Sequence, residues 1–276
     1  MSFSSEVKNE LAHLPASKPC CARAEAAGFF RACGSVRRVG GARGGLLGFV
    51  LQTSNPAVAR HEKMLFEHLQ GVAGGLGITL NVSVSEDRGG AVPKRYEMKA
   101  AASDRGTAFL ETIGIIGRVD GKLALSARTP ADMLASKCCR KAFLRGLFLG
   151  AGSVSDPEHG YHFEIALDDP MLAADARRIM NSFTDIHARV SRRKGRPVVY
   201  LKASEQIKDM LGILGADRHL LAYEEVRMIR EMKETANRIS NCDNANVDRA
   251  LRAGESQVDF ITALLRGGGG FPETLP

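Results

Sequence analysis

The chain has 276 residues, of which 44% are hydrophobic and 25% charged, and its formal net charge is +7. These values are ordinary for a soluble globular protein. No apolar stretch is long enough to span a membrane. The acid-containing start MSFSSEVKNELAHL lacks the pattern of a secretory signal, so we expect a cytoplasmic protein.

The first element predicted is a serine-capped amphipathic helix at this start. An internal repeat follows: residues 18–36, KPCCARAEAAGFFRACGSV, align without a gap with residues 136–154, SKCCRKAFLRGLFLGAGSV. Eight of the nineteen aligned positions are identical, which indicates a duplicated unit.

Each copy predicts the same order of elements: helix, two strands, helix, two strands, helix. In the first copy, the apolar run LLGFVLQT (46–53) and the alternating segment ITLNVSVS (78–85) are typical strands. In the second copy, YHFEIALDD (161–169) alternates in the same way, and the strands IHARVSR and PVVYLKA follow. Period-two strands with one apolar face favour antiparallel sheets that helices cover on one side only. The other face is left to solvent or to a partner.

After Gly215 the pattern is helical only. The segment NCDNAN (241–246) predicts a break between two helices, with Asn241, Asp243 and Asn246 as capping residues. The final GGGGFPETLP predicts a linker. The expected organisation is therefore a first repeat with its N-terminal helix (1–117), a linker (118–135), a second repeat (136–216) and a helical segment (217–276).

The segments AAGFFRACG (26–34) and LRGLFLGAG (144–152) resemble the two LAGLIDADG helices of homing endonucleases. Small residues in both would let the two helix backbones approach closely. The resemblance implies an α+β fold with a pseudo-twofold αββαββα repeat. In that family an acid near each helix end holds the metal ions that cut DNA. Here Cys33 and Ala151 occupy those positions, so we expect a degenerate endonuclease with no catalytic residue, no bound metal and no enzymatic activity.

With NRISNCDNAN (237–246) and the opening SFSSEVKNELA, the whole chain resembles the WhiA family of bacterial regulators. The resemblance implies a transcriptional regulator of cell division and sporulation that acts on double-stranded DNA at the nucleoid. It also implies two partners, a WhiB-type iron–sulfur regulator and an RNA polymerase sigma factor. In the family a helix-turn-helix follows, and this chain ends at Pro276, about where that element should begin. We therefore expect that 217–276 holds only its leading helices.

The positive charge is concentrated in one predicted hairpin. Six basic residues and no acid lie between Ile186 and Ser204, so the remaining chain carries a net charge of only +1. The candidate DNA-binding residues of the hairpin are Arg189, Arg192, Arg193, Lys194 and Arg196. Further candidates, expected near the edges of the uncovered sheet face, are Arg37, Arg38, Arg43, Lys94 and Arg95. Glu164 and Asp168 are expected on the same face as the hairpin arginines, which weakens the signal.

Three uses of this face remain open from the sequence: DNA contact, plain solvation and docking of a protein. The function is accordingly either a DNA-binding regulator or a protein-interaction module that recruits a sigma factor or a WhiB-type partner with only incidental DNA contact.

The cysteines include two adjacent pairs, Cys20-Cys21 and Cys138-Cys139. Neither pair suits an ordinary disulfide or the CxxC spacing of a zinc site. Free thiols are the simplest interpretation, a redox or iron–sulfur role stays open, and no cofactor is predicted.

Overall fold

The computed structural model describes residues 2–15, 18–39, 45–69, 77–83, 95–119 and 121–267. The chain divides into two compact units after Glu224. The first unit contains both copies of the repeat. The first copy, with the N-terminal helix, comprises α1 (Phe3–Leu11), α2 (Pro19–Cys33), β1 (Gly34–Val39), β2 (Leu46–Thr53), α3 (Pro56–Leu69), β3 (Thr79–Ser83), β4 (Arg95–Ser103) and α4 (Asp104–Thr112).

The second copy repeats this order after a connecting segment. That segment forms a hairpin of β5 (Ile116–Val119) and β6 (Lys122–Leu125), then a short 3-10 helix (Asp132–Leu134). The second copy comprises α5 (Lys137–Ala151), β7 (Gly152–Val154), β8 (Phe163–Ala166), α6 (Pro170–Met180), β9 (Arg189–Arg193), β10 (Arg196–Leu201) and α7 (Ser204–Leu214). The predicted succession of helices and strands is confirmed in both copies. The β5–β6 hairpin, which begins two residues before the predicted linker (118–135), has no counterpart in the sequence prediction.

The two sheets have the same topology. Their strand orders are β1-β2-β4-β3 and β7-β8-β10-β9, and every neighbouring pair is antiparallel. Identical order in two halves of one unit is the structural form of the duplication seen in the sequence. Since β1 and β7 begin directly after α2 and α5, each sheet starts where a motif helix ends.

The core lies between the helices and one face of each sheet. In the first copy, Phe49 of β2 packs on Phe109 with ring centroids 5.5 Å apart, and Phe66 lies 4.9 Å from the same ring. In the second copy, Phe148 stacks on Phe163 at 5.2 Å. All five rings are fully buried. The alternating segment 161–169, of which Phe163–Ala166 form β8, therefore faces the core as predicted. Phe163, Ile165 and Leu167 are buried, and Tyr161 is half-buried against the core.

Local signals set several helix ends. The Ser2 hydroxyl accepts a hydrogen bond from the Ser5 N–H, which confirms the predicted serine cap of α1. Asp169 caps α6 through the Met171 N–H, with Pro170 at the first helical position. Helix α7 ends at Gly215, whose φ of 95° lies in the left-handed region where a side chain would be strained.

One prediction about the C-terminal segment is wrong. Residues 241–246 do not separate two helices, because α8 runs continuously from Asp217 to Arg266. Asn and Asp cost an exposed helix only a few tenths of a kcal/mol more than average residues, and this stretch contains no Gly or Pro to stop it. Asn246 bonds along the helix, to Cys242 Sγ at 3.8 Å and to Arg249 at 3.4 Å, instead of capping an end. In the part of the chain that the structure describes, no helix is both long and apolar enough to cross a membrane.

Candidate DNA-binding surface and motif helix ends

The motif helices α2 and α5 pack against each other through small residues. A side chain at Gly28 would collide with the carbonyl oxygen of Phe143, and one at Gly146 with the carbonyl oxygen of Glu25. Nearer the helix ends, a Cβ at Gly150 would lie 2.6 Å from that of Ala32. Central residues of α2 contact central residues of α5, and late residues contact late ones, so the two helices run side by side in the same direction. The predicted close approach at the small residues is confirmed.

Neither motif helix ends on a carboxylate. Cys33 donates its thiol proton to the Phe29 carbonyl at 3.4 Å, and Ala151 at the equivalent position has no polar group. Burial, followed by the nearby Glu62 carboxyl, raises the pKa of the Cys33 thiol. The Lys8 ammonium from α1 also acts on Cys33, and burial lowers the pKa of Lys8 to about 8. A thiol and a methyl group therefore occupy the two positions where the endonuclease motif has acids, and the Lys8 ammonium and the Glu62 carboxyl lie near Cys33.

A buried ion-pair network lies beside these helices. Glu25 is 1% exposed and accepts from His61 Nε2 at 2.9 Å and from Arg145 Nη1 at 3.4 Å. Glu62 is fully buried, and neither of its oxygens has a hydrogen-bond partner among the described residues. Burial first, and the neighbouring Glu25 second, raise the pKa of Glu62 well above its ordinary value. Glu25, His61 and Glu62 place ligand atoms within 4.8 Å of one another. Because Arg145 already compensates Glu25, we interpret the group as structural.

The second sheet has a face opposite the core, here called its open face, and basic residues lie along its outer strand. The register pairs Arg189 with Tyr200 and Arg193 with Arg196, and these four residues share the face opposite the core. Arg192 pairs with Pro197 and belongs to the other face by parity, although it is exposed. The structure therefore brings Arg189, Arg193 and Arg196 together and does not bring Arg192 to them.

Lys194 forms the tip of the same hairpin. Its φ of 50° and that of Gly195, 81°, are both positive, as the tight turn between β9 and β10 requires. The tip is exposed.

Glu164 and Asp168, which the sequence predicted on this face, also pair with its arginines. Arg196 Nε lies 2.6 Å from Asp168 Oδ1, and Arg193 Nη1 lies 3.5 Å from Glu164 Oε2. Glu164 also accepts from His162 Nε2 at 2.9 Å. Arg189 has no ion pair with any residue in the described ranges and is exposed. It is therefore the arginine of this face with the least competition from protein carboxylates.

The open face of the second sheet also has an aromatic platform that the sequence analysis did not single out. The Tyr200 ring stacks on His162 at 6.1 Å, and the Lys202 ammonium lies 5.7 Å from the Tyr200 centroid. Lys202 is one of the six basic residues between Ile186 and Ser204, and strand parity in PVVYLKA was the signal that could have placed Tyr200 on the same face.

The first sheet has an equivalent open face. Strand parity and register put Arg37 on it beside Gly48, and Arg95, Glu97 and Lys99 on it along β4. Lys99 Nζ pairs with Glu97 Oε1 at 2.5 Å. Lys99 was not among the predicted residues, although counting every second residue from Arg95 reaches it.

The remaining first-copy candidates lie elsewhere. Arg38 pairs with Leu47 and belongs to the opposite side of β1. Arg43 and Lys94 lie outside the described residues.

The two cysteine pairs converge. Cys20-Cys21 and Cys138-Cys139 lie in the first turns of α2 and α5, and their four sulfur atoms are all within 4.8 Å of one another. Burial, then the hydrogen bond to Cys138, raises the pKa of the Cys21 thiol to about 11. Burial, then the hydrogen bond with Cys20, likewise raises the pKa of the Cys139 thiol to about 12. The signal that could have predicted this meeting was the repeat itself, since residues at matching positions in the two copies come together at the axis that relates them.

Comparison with known proteins agrees with this architecture. Residues 140–233 match the family model of the WhiA LAGLIDADG-like domain. A probable cell division protein WhiA from Alkaliphilus metalliredigens is 36% identical over 95% of this chain and 79% of its own length. The crystal structure of full-length DUF199/WhiA from Thermatoga maritima superposes with a TM-score of 0.64 at 22% identity, covering 99% of this chain and 83% of that one. The N-terminal LAGLIDADG domain of DUF199/WhiA superposes with a TM-score of 0.56 at 21% identity, covering 78% of this chain and 90% of that one.

Proposed function

The chain belongs to the WhiA family, and from this premise we propose that it is a DNA-binding transcriptional regulator of cell division and sporulation. Its endonuclease-like body binds double-stranded DNA and does not cut it. The relatives are named as cell division proteins, which supports the cellular process.

The observation that carries the proposal is the pair of matched open faces. Each copy contributes one four-stranded sheet, and among the described residues of the first unit arginine and lysine side chains lie on the sheet face opposite the core. Basic side chains on a flat, solvated sheet can contact successive phosphates of a duplex. In this proposal Arg37 and Lys99 of the first sheet and Arg189 and Arg193 of the second make such contacts.

The protein carboxylates on these faces do not prevent phosphate binding. The side chains of Arg193 and Arg196 are 69% and 53% exposed, and of their partners Asp168 is 79% exposed and Glu164 18%. Exposed ion pairs contribute only about 0–1 kcal/mol. A phosphate can therefore replace Glu164 or Asp168 as the partner at little cost in free energy.

The absence of cleavage follows from the helix ends. A nuclease of this kind needs oxygen ligands that hold a divalent cation at the scissile phosphate. Cys33 and Ala151 supply none, and the Lys8 ammonium near Cys33 would repel the cation. We therefore propose that the endonuclease-like fold still binds DNA but no longer cleaves it.

The family resemblance further supports a location at the nucleoid and two protein partners, a WhiB-type iron–sulfur regulator and an RNA polymerase sigma factor. A body that holds DNA through two sheets leaves its helical side available to such partners.

The test compares two charge reversals on one strand. Arg189→Glu changes the open face, whereas Arg192→Glu makes the same charge change on the opposite side of β9, so it is the matched control. In fluorescence anisotropy with a labelled duplex, we expect Arg189→Glu to weaken binding about tenfold, or about 1.4 kcal/mol. Arg192→Glu should change the affinity by less than about threefold, because only long-range charge is altered.

Equal losses in both variants would show that net charge and not the open face governs binding, which contradicts the proposal. Wild-type protein that fails to bind duplex at low salt but binds a sigma factor or a WhiB-type protein would favour the protein-interaction module instead.

A further inference from the structure

The four clustered cysteines, Cys20, Cys21, Cys138 and Cys139, take no part in the proposed DNA contact. They lie at the opposite ends of the motif helices from Cys33 and Ala151. Each copy supplies one pair at matching positions, 118 residues apart in the sequence. Two rigid helices that run side by side therefore aim four thiols at one point.

The spacing of the sulfur atoms fits a single ion. Zinc binds four thiolates tetrahedrally at about 2.3 Å, which separates the sulfur atoms by about 3.8 Å. Here all four sulfur atoms lie within 4.8 Å of one another. Side-chain rotations that move the sulfur atoms by about 1 Å would therefore close the site around a zinc ion. A four-iron cluster has its cysteines on separate irons at the outside of a larger body, and these sulfur atoms are too close together for that.

The surroundings suit the charge of such a site. Four thiolates and one Zn²⁺ carry a net charge of −2, and two helix N-termini direct their partial positive charge at it. Ser136 and Lys18, the residues that precede the two helices, make no side-chain capping bond among the described residues, so the first-turn N–H groups remain available to sulfur. The positive charge of the Lys18 ammonium also favours the thiolate form of Cys138.

The four cysteines differ in exposure, which lets an ion enter from solvent and be held in the interior. Cys21 and Cys139 are only 7% and 4% exposed, whereas Cys20 is exposed and Cys138 is half-buried. Two ligands are thus fixed in the interior, and two close the site from the solvent side.

We propose that Cys20, Cys21, Cys138 and Cys139 bind one structural Zn²⁺ that clamps the two copies of the repeat together. Because the four ligands come together only when α2 packs on α5, the free energy of metal binding adds to the stability of that packing. The site is independent of the DNA-contacting faces.

The experiment measures metal directly on the full 276-residue chain, purified under reducing conditions. We expect one equivalent of zinc by mass spectrometry and its release when a mercurial titrates the thiols. Cobalt added to the metal-free protein should give the visible bands and the sulfur-to-cobalt charge transfer of a tetrahedral thiolate site. X-ray absorption should count four sulfur neighbours at about 2.3 Å.

Variants connect the metal to these residues. Cys21→Ser and Cys138→Ser should each lose the equivalent of zinc, while Cys242→Ser, an exposed cysteine on α8, should retain it. If the cluster variants fail to fold, cobalt binding and sulfur counting on the wild-type chain decide alone.

Wild-type protein that binds neither zinc nor cobalt while its thiols are reduced would overturn the proposal. Disulfides joining the two pairs in protein protected from air, Cys20 to Cys139 and Cys21 to Cys138, would overturn it in favour of a redox link.

Discussion

At the scale of single residues, Glu62 has an unusual environment. It is a fully buried carboxyl without a hydrogen-bond partner among the described residues, next to Glu25 in a region that also holds Lys8 and Cys33. An ionised carboxylate in such a place is costly, so the protonated form is favoured in the folded state.

This burial predicts a pH dependence of stability. Because the pKa of Glu62 is raised on folding above its ordinary 4.5, the folded state binds a proton that the unfolded state releases. This proton binding contributes to the free energy of unfolding. The contribution is fully present below pH 4.5 and is lost as the pH rises toward the pKa of Glu62 in the folded state. We expect Glu62→Gln to melt at a higher temperature than the wild type at pH 8, with a smaller difference at pH 5. Each 1 kcal/mol corresponds to roughly 2–4 °C in a unit of this size.

Glu67→Gln is the matched control, since Glu67 is an exposed acid on the same helix paired with Lys63 at 3.8 Å. It should shift the melting temperature little at either pH. A gain for Glu62→Gln that is larger at pH 5 than at pH 8 would contradict the assignment.

At the scale of elements, the packing of α2 on α5 holds the two copies together. Gly146 of α5 faces the backbone of α2, where a methyl group would meet the carbonyl oxygen of Glu25 and lie 2.7 Å from the Phe29 nitrogen. Backbone atoms cannot rotate away as a side chain can. The helices must therefore separate to admit even one carbon atom.

We expect Gly146→Ala to destabilise the body by about 1–3 kcal/mol or more, although alanine is the better helix former. Gly254→Ala on α8 is the control, because open space surrounds that position and the substitution should be neutral or mildly stabilising. Thermal unfolding followed by circular dichroism measures both. An unchanged melting temperature for Gly146→Ala would contradict the close packing of α2 on α5.

The elements also show what the sequence could predict. Alternation along 161–169 and the repeat of GSV after each motif helix sufficed to order the strands, because one face of each is buried. The hairpin β5–β6 was missed because its strands, IGRV and KLAL, are too short to establish a period. The break at 241–246 was wrong because capping residues such as Asn246 also fit the surface of a continuous helix.

The site was predicted less completely, for a related reason. Local sequence identified Arg189 and Arg193 through their charge and parity, but gave no sign that Glu164 would reach Arg193 across β10. The cysteine cluster depends on two segments 118 residues apart, so considering Cys20-Cys21 alone could not reveal it.

At the scale of the whole molecule, duplication is the organising feature. Each copy supplies one motif helix, one sheet with an open basic face and one cysteine pair. Residues 204–266, by contrast, carry nine basic and eleven acidic side chains, so the helical segment is a poor electrostatic surface for DNA. We therefore expect the DNA affinity of this chain to come from the sheets of the first unit.

The most direct test of this account is the salt dependence of DNA binding by the wild-type chain, measured by fluorescence anisotropy with Mg²⁺ present. About four phosphate contacts predict a fall in affinity of roughly 150-fold between about 50 and 200 mM salt, because each contact releases counterions. The labelled duplex should also keep its full length throughout. Absent or salt-indifferent binding would contradict the role of the open faces, and duplex shortened only when Mg²⁺ is present would contradict the loss of catalysis at Cys33 and Ala151.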